Sequence, residues 1–480
     1  MLMKKSSRIA LLLAVLLVTQ IFAACGDSET PQSDGGTTAV AEPVDPYEGW
    51  LLDDLPSDLK FDGETFTIFF GHPLDNYIME EETGDPVDDA VYQRNAAVQE
   101  RFGIELVMEK CAYDSGGADQ QQATEQISAN ILAGDTTNDV YIHVQHTGMP
   151  GLIAQGMFRD WNVFPYFNFT KDYWYKKCLN DINYYDKVFA MTGAYNLSSL
   201  TIANCLIFNK RICDEVQLDY PYQLVKDGKW TVDKWMEYIK VGTRDLNGDG
   251  KIDPNVDQTA YWGWGYESIP ALYMGLGGDT VIKKADGSPE LNINNERTFK
   301  IVDKMLEVFD DEGAAWEYNT FGIINTAFTD GRLFFLHGGL GSTFREMEDD
   351  YGYIPYPKLD EDQATYCSRV QNTSCLTYIP VTNTRDAITS AVLEYMAMYS
   401  YNTVVPAYFD VTLTIKGTRD TESEEMIPII REACSFNDEA VNFGVSNCIT
   451  QKTGLASYWA SQEATVTKNL QENIIDVYGK

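Results

Sequence analysis

The chain has 480 residues, with 72 Asp and Glu against 36 Lys and Arg, and a formal net charge of −36 at pH 7. A surface this acidic repels nucleic acid and anionic lipid, which excludes both as partners and leaves neutral or cationic ones. The length exceeds one typical domain, so two lobes or domains are expected.

Lys4, Lys5 and Arg8 precede an apolar stretch, Ile9 to Val18, which resumes at Ile21 and Phe22 and ends in Ala23-Ala24-Cys25-Gly26. A basic start, an apolar core too short to span a bilayer and small residues at its end describe a secretory signal peptide over residues 1–24. Ala23-Ala24-Cys25 resembles the bacterial lipobox, although Phe22 stands where that motif usually has Leu. The resemblance implies a lipid anchor on Cys25, palmitate included, at the extracellular face of the cell membrane. Gly26 to Pro46 is rich in Gly, Ser, Thr, Asp, Glu and Pro, so residues 25–55 read as the anchor and a flexible linker. Beyond Cys25 stand eight cysteines: 111, 178, 205, 213, 367, 375, 434 and 448. An even number in an exported chain permits disulfides, and no Cys-x-x-Cys suggests zinc or redox work.

The folded body opens at Phe61. Thr65 to Phe70 reads as a buried strand, and Asp88 and Asp89 open a helix with Ala90, Val91, Ala97, Val98 and Phe102 at helical spacing. Ile104 to Val107 is a second strand, Gln120 to Leu132 a helix stopped by Gly134, and Val140 to Val144 a third strand. Strands alternating with helices predict a parallel sheet, and ligands bind beyond the carboxyl ends of such strands. That places Gly71 to Tyr77 and Gln145 to Gly151 beside a cleft. An aromatic-rich stretch follows, from Trp161 to Trp174. Ala203 to Phe208 is a strand, and a helix holds Trp235, Met236 and Ile239. The segment Asp245 to Gln258 is rich in turns, and Glu296 to Phe309 is helical. Arg332 to Leu336 is a strand leading into Gly338-Gly339-Leu340-Gly341. Tyr351 to Pro357 is extended, and helices dominate from Asp386. No tandem repeat is present.

Five short segments stand out in order: Asp139-Val140-Tyr141 followed by Gly151 to Trp161, Leu206-Ile207-Phe208-Asn209-Lys210, Gly228-Lys229-Trp230-Thr231, Phe328-Thr329-Asp330-Gly331-Arg332 and Ile354-Pro355-Tyr356-Pro357. Together they resemble the family 1 (sugar-type) extracellular solute-binding proteins of ABC importers. The resemblance implies an α/β, two-lobed periplasmic-binding-protein-like fold (type II) with a ligand cleft between lobes. It also implies a hinge that closes on the ligand and a monomer that docks on ABC permease subunits. By analogy the lobes comprise residues 56–198 with 368–400, and 199–367 with 401–480. The chain then crosses near Tyr195 to Ser199 and returns near Cys367 to Gln371.

Sugars are held by aromatic faces and planar polar groups. The candidates are Trp262 and Trp264 in an aromatic run with interspersed glycines, and Gln145 and His146 after a strand end. Tyr77 with Asp75, His337 before its glycines, and Tyr195 and Arg369 at the two crossings complete the set. Each can equally be a core or loop residue. Asp245, Asn247, Asp249, Lys251 (through its carbonyl) and Asp253 match loop positions 1, 3, 5, 7 and 9 of a calcium loop, with Gly250 at the turn. Val256 stands where an EF-hand needs Glu, so a structural Ca2+ in a loop is the expectation beside a plain Asx-rich turn. No catalytic motif is present, no organic cofactor is implied, and no carboxylate pair stands out. The expected function is capture of a carbohydrate, an oligosaccharide, for an importer. The alternatives are an exported enzyme acting on polysaccharide and a surface binding lipoprotein without transport.

Overall fold

The computed structural model describes residues 47–72, 79, 81–112, 117–317, 321–344, 346–409, 420–437 and 444–479. Cys25, the signal segment, most of the linker, Asp75 and Tyr77 lie outside the described residues. Before Trp50 stands a separate unit, of which only the turn at residues 47–49 is described. All the strands and helices named below belong to the unit from Trp50 onward.

Strand β1 (Thr65–Phe70) is buried from Phe66 to Phe70 without alternation, as a strand covered on both faces must be. The helix Pro86–Phe102 follows. Asp85 caps it by accepting from the Val87 amide, Asp88 and Asp89 sit in its first turn, and Gly103 ends it at φ 69°. Strands β2 (Glu105–Lys110) and β3 (Val140–Val144) flank β1 in parallel. Between them runs the helix Gly117–Leu132. These elements match the expected strand–helix alternation.

The chain then enters a second sheet with β4 (Asn204–Asn209) and β5 (Thr259–Trp264). A hairpin of β6 (Val281–Lys283) and β7 (Pro289–Leu291) precedes β8 (Ala314–Glu317), β9 (Leu333–Gly339) and β10 (Tyr351–Ile354). The order is β10-β4-β9-β5-β8, with β4 antiparallel to β9 and β5 parallel to both neighbours. Strand β11 (Ser368–Arg369) precedes β12 (Cys375–Tyr378), which returns to the first sheet antiparallel to β3 and completes the order β12-β3-β1-β2. The last strand, β13 (Cys434–Ser435), pairs with β11.

The chain leaves the first sheet after Met191, which bridges Thr377, and reaches the second at Ala203, which bridges Val370. The return runs from Val370 to Cys375. Both passages are pinned by hydrogen bonds. Asn196 donates to the Cys375 carbonyl, and the Ser199 and Ser374 hydroxyls meet at 2.9 Å. The helix Asp386–Asn402 packs on the first sheet's layer, where Tyr395 meets Phe102 edge to face. The helix Thr421–Ala433 packs on the second, where Ser423 Oγ accepts from the Tyr353 amide. All eight described cysteines are free thiols, seven of them buried. Among the described residues no helix is long and apolar enough to cross a membrane.

Candidate functional site

The carboxyl end of β3 presents Gln145 and His146 to the return passage. The Gln145 amide donates to the Ser374 carbonyl at 3.0 Å, and its side chain donates to the Gln371 carbonyl at 3.3 Å. His146 Nδ1 lies 2.8 Å from the Asn372 carbonyl. A carbonyl only accepts, so Nδ1 carries the proton, and in the neutral ring Nε2 is left with a lone pair. The turn that aims this pair is constrained. Thr147 has φ 33° and Gly148 φ 84°, and the Thr147 carbonyl accepts from Thr124 Oγ1 at 2.7 Å. A left-handed β-branched residue is strained, and such strain gathers at functional turns.

Gln145 and His146 open onto a cavity of about 310 Å³. One wall holds Tyr184 and Tyr378, another Phe436 and Asn437, and a third Asn469, Asn473 and Tyr478 from the C-terminal helices. The third wall is shaped by a π-helical turn, Gln471–Ile475, which follows the helix Leu455–Leu470. Such turns re-aim side chains and are frequent at functional sites. Rings and planar amides thus surround one space from segments far apart in the chain.

Two carboxyls support this cavity from behind. Asp181 accepts from the Ser435 hydroxyl at 2.8 Å and from the Phe436 amide at 3.0 Å. Asp279 accepts from the Asn437 side chain at 2.8 Å. Burial raises both carboxyls above the usual carboxylate range. Asp279, with the Asp181 charge adding to burial, is pushed up to about 6. They fix Phe436 and Asn437 in place.

The other candidates fall elsewhere. Trp262 is 3% exposed, because both faces of β5 are covered and every residue from Thr259 to Gly263 is buried. Tyr195 is buried with its hydroxyl 2.7 Å from Thr377 Oγ1. His337 is buried against the Tyr356 hydroxyl at 2.6 Å, and burial pushes it down to about 3, so it is neutral. Arg369 is fully buried in an ion pair with Glu267. These four offer a ligand no surface. Trp264, at the end of β5, is half-buried and meets the exposed ring of Tyr266 edge on, with centroids 6.0 Å apart. His72, which the sequence did not single out, follows β1. Its pKa is lowered by burial and by His146, which places it near that ring.

The acidic loop closes on its own amides. Asp245 accepts from Gly248 at 2.6 Å and Gly250 at 2.8 Å, Asn247 from Asp249 at 2.8 Å, and Asp249 from Lys251 at 2.9 Å. Asp253 accepts from Asn255, and the buried Asp257 ties the two ends by accepting from Leu246 and Asp253. Among the described residues, no three His, Cys, Asp or Glu side chains gather as a metal site requires. Asp245, Asn247, Asp249 and Asp253 each engage a side-chain oxygen within the loop. They cap backbone amides, as Asx turns do.

No protein-family model matches the chain, and no curated protein matches it. Solved structures do. The ABC substrate-binding protein Lmo0181 from Listeria monocytogenes in complex with cycloalternan is 14% identical, with a TM-score of 0.52. The match covers 85% of this chain and 99% of that one. A cyclo/maltodextrin-binding protein complexed with maltotetraose is 10% identical, with a TM-score of 0.55, covering 86% and 98%. UgpB from Mycobacterium tuberculosis in complex with glycerophosphocholine is 14% identical, with a TM-score of 0.53, covering 85% and 99%. The chain therefore has the two-lobed α/β fold of ABC solute-binding proteins.

Proposed function

We propose that the chain captures a carbohydrate, an oligosaccharide, in the cavity beside Gln145 and His146 and delivers it to the permease of an ABC importer. One observation carries the reading. At the carboxyl end of β3, a cavity bounded by β12, the segment at Phe436 and the C-terminal helices is walled by tyrosine rings and planar amides. Rings stack on the apolar faces of sugars, and side-chain amides pair with hydroxyls in both directions. The fold shared with proteins whose complexes hold cycloalternan and maltotetraose supports the same class of ligand. A lipid on Cys25 would keep the receptor near its permease and raise its effective concentration there. No turnover is part of the reading.

Isothermal titration calorimetry and melting curves across a panel of neutral oligosaccharides test it. Saturable binding of an intact, unhydrolysed glycan is expected. Peptides or amines that bind while every glycan is silent would refute it, and glycan cleavage would favour the enzyme alternative.

A further inference from the structure

A second cavity, of about 380 Å³, adjoins the first, with Phe436 as a wall of both. Its size falls within the roughly 300–1,000 Å³ of ligand pockets. It opens between the helix Lys176–Asp181 and the helix Thr421–Ala433. Tyr175 and Phe436 stack along it with centroids 6.4 Å apart.

Its charge is unusual for this chain. Acids outnumber bases two to one overall, yet Lys176, Lys177 and Arg431 line this cavity against Asp172 and Glu432. Lys176 is taken by Asp172 in an ion pair. Among the described residues, Lys177 and Arg431 form no ion pair. They stand on different helices and converge. Burial raises the Cys434 thiol of the cavity wall to about 12, and the charges of Arg431 and Lys177 both oppose that rise. The Arg431 guanidinium lies over the Phe409 ring at 4.1 Å, which holds its planar fork in one orientation. A fork so held is suited to accept a carboxylate or sulfate on two nitrogens. The net charge of −36 does not cancel this, because salt screens distant charges beyond about 8 Å.

We propose that this cavity is an anion-accepting subsite that takes the negatively charged group of an acidic sugar. The neutral part of the same glycan lies in the adjoining cavity. The proposal rests on the carbohydrate reading above. The anion is a uronate carboxylate or a sulfate ester, both of which present paired oxygens to Lys177 and Arg431.

Calorimetry on the whole protein separates the cases. A neutral oligosaccharide is compared with its uronate and its sulfated counterparts of equal length, at low and at physiological salt. One or both charged forms should bind about tenfold tighter, less so as salt rises. In the double variant K177Q/R431Q that preference should fall to within about twofold, with neutral binding and melting temperature unchanged, and R431K alone should keep part of it. Equal affinity for neutral and charged forms overturns the subsite and leaves the carbohydrate reading intact. So does a preference that survives the double substitution. Silence toward every glycan overturns both.

Discussion

His146 and Asp279 carry the chemistry that single substitutions can read. The His146 ring is anchored through Nδ1 on the Asn372 carbonyl, and its free nitrogen is the only part left for a ligand. His146→Ala removes both, and a hydrogen bond of ordinary strength contributes about 1 kcal/mol. Glycan affinity should fall about fivefold to tenfold, with little change in melting temperature, by calorimetry and a thermal melt. Asp279 titrates near 6 in the fold and near 4 in the unfolded chain. Between those values the native chain holds the extra proton, so stability falls as pH rises through about 4 to 6. Asp279→Asn keeps an acceptor for Asn437 and removes the charge. Because the group is partly exposed, it should gain about 1 kcal/mol at pH 7, and urea melts from pH 4 to 7 should lose that slope. At this scale the sequence was only partly legible. The placement of Gln145 and His146 beside the end of β3 was readable, because a strand end in a parallel sheet is a predictable place. Trp262, Tyr195, His337 and Arg369 were not. Alternation cannot tell exposed from buried where a sheet is covered on both faces, and a histidine or arginine carries no sign of the partner that will bury it.

Elements were easier to read than pairings. The helix Pro86–Phe102 was legible through Asp88, Asp89 and the helical spacing of its apolar residues, and β1 through its apolar run. The resemblance implied a return near Cys367 to Gln371, but the antiparallel pairing of β12 with β3 was not legible, because Cys375–Tyr378 lies more than two hundred residues from its partner. Asn437, Asn469 and Asn473 were missed for the same reason, since their neighbours come from β3 and β12. The turn after β3 is where element and site meet. Thr147 is held left-handed, and Thr147→Gly removes a strain of roughly 1 kcal/mol. The variant should melt no lower than the parent. Glycan affinity should fall all the same, because a freer turn no longer holds His146 against Asn372. Unchanged affinity would show that the return passage alone orients the ring.

The two sheets are joined twice in the middle of the chain and again at its end. The passages at residues 191–203 and 370–375 carry the backbone between them. The C-terminal helices add a tie that the connectivity does not require. Lys452, just before them, pairs with Asp310 of the second sheet's layer. The last helix ends with Tyr478, edge on to Tyr184 and Phe189 at 5.5 and 5.1 Å, and its hydroxyl donates to the Ile182 carbonyl at 3.2 Å. On the way it lends Asn473, Ile474 and Tyr478 to the cavity. A chain end that only covered the surface could be cut with a loss confined to stability. This one forms a wall of the site, so a chain ending at Leu470 should still unfold cooperatively, at a lower temperature, while glycan affinity drops more than about tenfold. Melting curves and calorimetry on the same sample separate the two effects. Retained affinity at the lower melting temperature would return the C-terminal segment to a purely structural role and confine recognition to β3, β12 and the segment at Phe436.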